Sequence, residues 1–478
     1  MIRYIVGSII MLEAALLLLP ILTAIVYGEW NTLRVFAGSA LFCIVAGALL
    51  RGKKPENTTI FSVEGYVSVA LCWVALSICG AIPLCVSGVL QNPFDAFFEI
   101  VSGFTTTGSS VMQSVEGAPR AILMWRSFSH WVGGMGVLVF MLALLPMAEP
   151  SSMHLMKAES PGPSVGKLVP KVRSTAKILY QIYFVLTVAM LACMILTGCP
   201  LFDSINLTFA TAGTGGFGVL DSSAAEYGAA TQWVMTIFMI LFGVNFNVYF
   251  LFYVKRFKEG MKSEEARAYL GIIASAVLLI SVNIFYMVRN LELTVRQAAF
   301  QVASIITTTG FSSVDFDLWP EFSKGILVLL MFCGACAGST GGGMKVSRLC
   351  IMAKTVMKEL AFIIHPRNVR KTRFEGKTVE HEVLRSINVF LVAYLGIFVL
   401  SVMLISLDNF DFATNFTAVA ATLNNIGPGL AKVGPTQNFG IYSNFSKLVL
   451  AFDMLAGRLE IFPMLVPMIY LLRKKQLS

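Results

Sequence analysis

The sequence predicts an all-α polytopic membrane protein with four pseudo-fourfold span–pore-loop–span repeats around a central pore, plus two N-terminal transmembrane helices. Three observations predict it. The 478 residues are 56% hydrophobic and only 13% charged, where soluble domains carry about one-quarter charged residues. Apolar stretches of spanning length recur along the whole chain. Four connections between them hold variants of one short segment, and an internal repeat of that kind dictates the architecture.

The first apolar stretch covers residues 4–27. It reads as a span and not as a cleavable signal peptide, because no small-residue cleavage site follows a short apolar core. The second covers 33–50. The remainder fall near 61–85, 121–147, 178–199, 229–254, 269–288, 326–350, 386–407 and 446–472. Basic and non-basic connections alternate between them. "RGKK" at 51–54, the segments 157–177 and 345–385, "KRFKEGMK" at 255–262 and "RKK" at 473–475 hold most of the 36 Lys and Arg. The positive-inside rule places these connections, and both termini, in the cytoplasm. The net charge of +9 is therefore a topology signal with some attraction to anionic membrane lipid, and no nucleic-acid site is read into it. The expected units are an N-terminal hairpin at 1–55 and repeats at 56–155, 156–265, 266–385 and 386–478.

Four outer connections each hold an apolar segment too short to span, followed by a Gly-containing polar stretch. They are "FDAFFEIVSGFTTTGSSV" (94–111), "FDSINLTFATAGTGGFGV" (202–219), "RQAAFQVASIITTTGFSS" (296–313) and "ATNFTAVAATLNNIGPGL" (413–430). Gly108, Gly216, Gly310 and Gly427 share one register. A short apolar helix at membrane depth reads as re-entrant. The polar backbone after it survives there only against protein or water. Four such helices around one axis aim their partly negative C-termini at the membrane centre. The strands that climb back can offer rings of carbonyls to a cation, and Gly permits the φ angles that turn a carbonyl to the axis. The outer acids Asp95, Glu99, Asp203, Asp221, Asp315, Asp317 and Asp411 read as a cation-attracting vestibule or as solvated surface charges.

Other features leave alternatives open. "GSTGGG", from Gly338 through Ser339, Thr340, Gly341 and Gly342 to Gly343, interrupts the 326–350 span. It reads as a mobile loop beneath the strands or as a kinked helix. No Lys and Ser/Thr directly follow its last Gly, and no strand precedes it, as a phosphate loop requires. Arg458 inside the last span is a functional cation or the partner of Glu460, Asp453 or another acid. Asn245 and Asn247 face a cavity or bond between helices. Arg126 and His130 read as interior network residues, and Cys333 with Cys336 as small residues packed in a helix. No nucleophile–base pair or metal cluster is legible in the spans, so an enzyme is not expected. The scattered carboxylates Glu13, Glu64, Asp453 and Glu460 are the candidates for an ion-coupled symporter, the alternative to a pore. The segment 345–385 reads as a solvated loop or a docking surface.

"SGFTTTGSSVM", "SHWVGGMGVLVF", "TTTGFSSVDF", "GACAGSTGGGMKVSR", "ATLNNIGPGL" and "AGRLEIFP" together resemble the TrkH/TrkG/KtrB family of potassium-uptake proteins, over essentially the whole chain. The two extra N-terminal spans favour the TrkH branch. The resemblance implies potassium uptake across a bacterial cell (inner) membrane. It implies K+ as the transported ion, without an organic cofactor, bound by carbonyls just before the filter glycines. Those positions are Thr106 and Thr107 before Gly108, Thr214 and Gly215 before Gly216, Thr308 and Thr309 before Gly310, and Asn425 and Ile426 before Gly427. It further implies that Gly338–Gly343 gates the pore and that Arg458 acts as an electrostatic brake. A TrkA-like ring of nucleotide-binding regulatory subunits and a homodimer are the implied partners. The second and fourth strands, "GTGG" and "NNIG", depart from "TTTG", so the ring is chemically unequal.

Overall fold

The computed structural model describes residues 1–53, 62–136, 172–366 and 371–476. Helices α1 (Ile2–Leu16) and α2 (Leu18–Val26) form one apolar stretch that turns back into α3 (Trp30–Arg51). α1 and α3 cross at two glycines. A methyl group at Gly7 would overlap the Arg51 backbone, and one at Gly47 would lie 2.9 Å from Gly7 O. Small residues let membrane helices approach this closely.

The first repeat consists of α4 (Ser62–Val86), α5 (Pro93–Phe104) and α6 (Arg120–Gly134). The second is α7 (Val172–Leu196), α8 (Leu201–Gly213) and α9 (Ala229–Phe242), continued by α10 (Phe246–Tyr253) and α11 (Phe257–Met261). The third is α12 (Glu264–Val288), α13 (Leu291–Ile306), α14 (Glu321–Met331) and α15 (Val346–Ile364). A small antiparallel hairpin follows, β1 (Arg373–Phe374) with β2 (Lys377–Thr378). The fourth is α16 (His381–Ile405), α17 (Phe412–Leu423), α18 (Asn444–Arg458) and α19 (Phe462–Gln476).

Each repeat thus opens with a helix long and apolar enough to cross a membrane. A short helix follows in each, α5, α8, α13 or α17. Three of these have side-chain caps at their outer ends. Asn92 accepts from Phe94 N, Asn290 from Leu293 N, and Asp411 from Thr414 N, which satisfies amides that the first turn leaves open. The third helix of each repeat packs on the short helix of the next: α6 on α8, α9 on α13, α14 on α17, and α18 back on α5. The last of these contacts closes a ring of four.

Apolar composition alone misleads about the second spans. Only 326–350 was expected to break, yet none of the four is a continuous helix among the described residues. α9 and α10 meet at an angle of 87°, with Asn245 capping α10 through Asn247 N. α18 stops at Arg458, and Glu460 and Ile461 take φ of +56° and +70° before α19 begins. α14 ends at Met331 and helix resumes at Val346. α6 ends at Gly134, and residues 137–147 of the expected span lie outside the described residues. Average hydropathy does not register these breaks, because the breaking residues are few and flanked by apolar ones. The segment 345–385 is also not simply a solvated loop, since α15 fills its first half. α15 keeps Val346 and Ile351 buried and leaves Met357, Leu360, Ile363 and Ile364 exposed.

Gly7→Val is expected to force α1 from α3 and to destabilise the hairpin by ~1–3 kcal/mol. Thermal unfolding in detergent reads this as a lower midpoint. An unchanged midpoint contradicts the close crossing.

Candidate functional site

The polypeptide that leaves each short helix has the same unusual backbone. Thr106, Thr214, Thr308 and Asn425 lie at φ of 56°, 56°, 57° and 56°. Two residues on, Gly108, Gly216, Gly310 and Gly427 lie at 82°, 80°, 87° and 104°. The residues between them keep negative φ. Three of the four left-handed non-glycines are β-branched threonines, for which this region costs roughly 1–2 kcal/mol. Strain of that kind persists where the surroundings over-determine it. Alternating handedness turns successive peptide planes so that their carbonyls share one side of the strand.

The glycines close the ring sterically. A methyl group at Gly108 would overlap Gly215 O, one at Gly216 would overlap Thr309 O, and one at Gly310 would overlap Ile426 O. At Gly427 it would lie 2.9 Å from Thr107 O. Each glycine therefore abuts the carbonyl before the next strand's glycine, in cyclic order. All four glycines also line one outward-facing cavity of about 180 Å³, together with Asp221.

The "TTTG" side chains divide their work. Thr105 Oγ1 donates to Val101 O and bonds Thr107 Oγ1 at 2.8 Å. Thr307 and Thr309 repeat this at 2.7 Å. The outer two hydroxyls thus fasten each strand to its helix. In the fourth strand, Asn425 Nδ2 reaches Thr107 Oγ1 and Met454 O. Behind the first strand, Glu99 is fully buried and pairs with Arg126 at 2.7 Å. It also accepts from Ser110 Oγ and Val111 N. His130 bridges two repeats: Nδ1 donates to Gly103 O, and Nε2 accepts from Phe217 N. Those two bonds fit a neutral imidazole.

A polar plug lies beneath the strands. Gly342 N donates to Thr308 Oγ1 at 2.6 Å. Arg458 donates to Thr106 Oγ1, to Thr340 O at 2.8 Å, and to Gly133 O and Gly134 O. Lys345 is buried, and its ammonium donates to Gly341 O and Gly342 O. Glu265 on α12 clamps both ends of the loop, accepting from Ala337 N at 2.7 Å and from Ser347 N at 3.1 Å. Glu460 pairs with Arg348 at 2.5 Å and so joins the breaks of the third and fourth repeats. The loop from Gly338 to Gly343 and Arg458 thus meet below two of the left-handed threonines, Thr106 and Thr308.

The model of the TrkH family, described as a cation transport protein, matches residues 32–478. This chain belongs to the TrkH cation transport protein family. It is similar to the "Trk system potassium uptake protein TrkH" of Salmonella typhimurium, 34% identical over 97% of this chain and 96% of that one. The protein of the same description from Vibrio parahaemolyticus is 35% identical over the same shares. The TrkG protein of Escherichia coli is 30% identical over 96% of each chain. A solved structure described as the potassium transporter TrkH from Vibrio parahaemolyticus superposes with a TM-score of 0.88 at 32% identity, covering 97% of each chain.

In this TrkH-family chain most of the outer acids, read as a vestibule or as solvated surface charges, are bonded within the protein. Glu99 is buried, Asp95 pairs with Lys447, and Asp203 accepts from Tyr227. Asp317 accepts from Ala431 N. Asp411 caps α17, and bonds from the Thr414 hydroxyl and amide hold its carboxyl below the ordinary range. Asp221 alone of the seven lines the cavity above the glycines. Of the symporter carboxylates, Glu13 lies beside Cys43 and Cys79, Asp453 accepts from Ser401, Glu460 pairs with Arg348, and Glu64 is exposed. Asn245 bonds Glu265 and caps a helix. Cys333 and Cys336 lie in the break after α14 and not in a helix. Glu265 was not legible in sequence, since Ala337 and Ser347 lie 72 and 82 residues away; Lys345 bonds carbonyls only three and four residues before it, and its place at the start of a basic segment hid that.

Arg126→Met leaves the Glu99 charge buried without its cation and is expected to cost roughly 3–5 kcal/mol. A large drop in the thermal midpoint checks this, and a midpoint equal to the parent's contradicts it.

Proposed function

We propose that this chain is the ion-conducting membrane subunit of a potassium-uptake system, with K+ as its cargo. The observation that carries the reading is the closed ring of four glycines, each against its neighbour's carbonyl. The ions would be held by carbonyls of Thr106 and Thr107, Thr214 and Gly215, Thr308 and Thr309, and Asn425 and Ile426, in place of water. The repeats at 56–155, 156–265, 266–385 and 386–478 each supply one strand, and the hairpin at 1–55 braces the first.

Gly338–Gly343 is the gate. Its backbone closes the inner mouth by bonding the strands, and Arg458 adds a positive charge beside the path. Glu265 and Lys345 hold the gate shut and must release it when it opens. The break residues of the third and fourth repeats would move together through Arg348 and Glu460. A cytoplasmic TrkA-like nucleotide-binding ring supplies control, and the basic inner surfaces and α15 are available to it. A homodimer in a bacterial inner membrane, with both termini cytoplasmic, completes the proposal.

The test is flux of K+, Rb+ and Na+ into proteoliposomes under an imposed potential. Voltage-driven K+ flux is expected without a Na+ or proton gradient, and an absolute need for either gradient contradicts a pore. Gly310→Ser places a side chain on Ile426 O and is expected to lower K+ over Na+ discrimination several-fold. Full selectivity in that variant sinks the assignment of the strands. A unit charge about 8 Å from a passing cation opposes it by roughly 2 kcal/mol at an effective dielectric near 20. Arg458→Ala is therefore expected to raise K+ flux up to roughly 30-fold at equal protein content. Unchanged or lower flux removes Arg458 from the gate.

A further inference from the structure

Far from the strands, α1, α3 and α4 bring three ligand-type side chains to one point. Glu13 is fully buried, and neither of its carboxylate oxygens has a hydrogen-bond partner. Cys43 and Cys79 are buried beside it, and their thiols are in hydrogen-bond contact. The ligand atoms of all three lie within 4.8 Å of one another. The next residue, Gly80, leaves room for the carboxylate: a methyl group there would come 2.8 Å from Glu13 Oε1.

A carboxylate taken out of water without a partner is costly, more so at membrane depth. Two sulfurs and one oxygen are the donors that a thiophilic d10 cation takes. Around a tetrahedral Zn2+, sulfur and oxygen donors sit roughly 3.3–3.8 Å apart, which small side-chain rotations from the present spacing reach. One carboxylate and one thiolate balance a divalent charge, and the second sulfur completes the set as a neutral or ionised donor. An alkali cation such as K+ prefers all-oxygen sites, so this site is chemically separate from any path for K+.

We infer that Glu13, Cys43 and Cys79 form a binding site for a thiophilic divalent cation of the Zn2+ class, which ties the N-terminal hairpin to the first repeat. The site reaches the strands through one residue. Gly80 O accepts from Trp125 Nε1 at 3.0 Å, and Gly80 packs against Ile100 and Phe104 near the end of α5. An ion there stiffens the mounting of the helix that ends just before Thr105. The inference does not depend on what the strands conduct.

The test uses the full chain, purified under reductant, stripped with chelator and titrated with Cd2+ as the optical probe and Zn2+ by elemental analysis. Wild type is expected to take up about one ion per chain, with a thiolate-to-cadmium charge-transfer band. Its thermal midpoint is expected to rise on adding Zn2+. Cys43→Ser with Cys79→Ser loses the band, the ion and the thermal response. Glu13→Gln weakens binding at least ~10-fold. A chain in which the other seven cysteines are replaced, leaving Cys43 and Cys79, keeps all three signals. The inference is overturned if wild type takes up no Cd2+, if the double serine variant binds as wild type does, or if Glu13→Gln leaves affinity unchanged.

Discussion

The close approach of four backbones governs the rest of this structure. At each of the four ring glycines, the space a Cβ would need is taken by a carbonyl oxygen of the next strand. The chain must also reverse hand twice within three residues to keep its carbonyls on one side. Glycine satisfies both demands at the outer position. At the inner position the demand falls on Thr or Asn, and the surroundings must hold a conformation these residues resist. The hydroxyl pairs Thr105–Thr107 and Thr307–Thr309, the Asn425 cross-link and the His130 bridge all serve that end. So does the buried Glu99–Arg126 pair.

The same constraint shapes the inner side. Helices that end at membrane depth leave carbonyls without partners, and the lipid offers none. Arg458 takes the carbonyls of Gly133 and Gly134, and Lys345 takes those of Gly341 and Gly342. The loop amide of Gly342 takes the hydroxyl of Thr308. Polar bonds thus hold the plug, beside the apolar packing of the flanking Cys336 and Met344. Such bonds can be exchanged for water or for an ion, as the gating proposed for this loop requires. Buried cations of this kind are expensive unless paired with oxygens, and the loop carbonyls supply those oxygens.

Much of this was legible because the sequence repeats itself. The shared register of Gly108, Gly216, Gly310 and Gly427 located the strands, and "GSTGGG" located the plug, without any contact being known. Hydropathy failed where a few residues overrule an apolar average, as at Gly243–Asn245 and Leu459–Ile461. It also misread α15, whose Lys354, Lys358 and Glu359 hide an apolar helix in a charged segment. The outer acids were placed by topology alone, and only folding reveals that Glu99 faces Arg126 and Asp95 faces Lys447. Glu265 carries no local signal at all, because its partners Ala337 and Ser347 lie on another element. The Glu13–Cys43–Cys79 cluster escaped for the same reason, being assembled from three helices.

Four unequal strands are proposed to form one ring of carbonyls around a cation. Anomalous diffraction from crystals of this protein soaked in Rb+ or Tl+ tests it most directly. A peak is expected on the axis, equidistant within coordination range from the carbonyls of Thr107, Gly215, Thr309 and Ile426. A peak displaced to the outer acids, or an axis without density beside well-ordered strands, would contradict it.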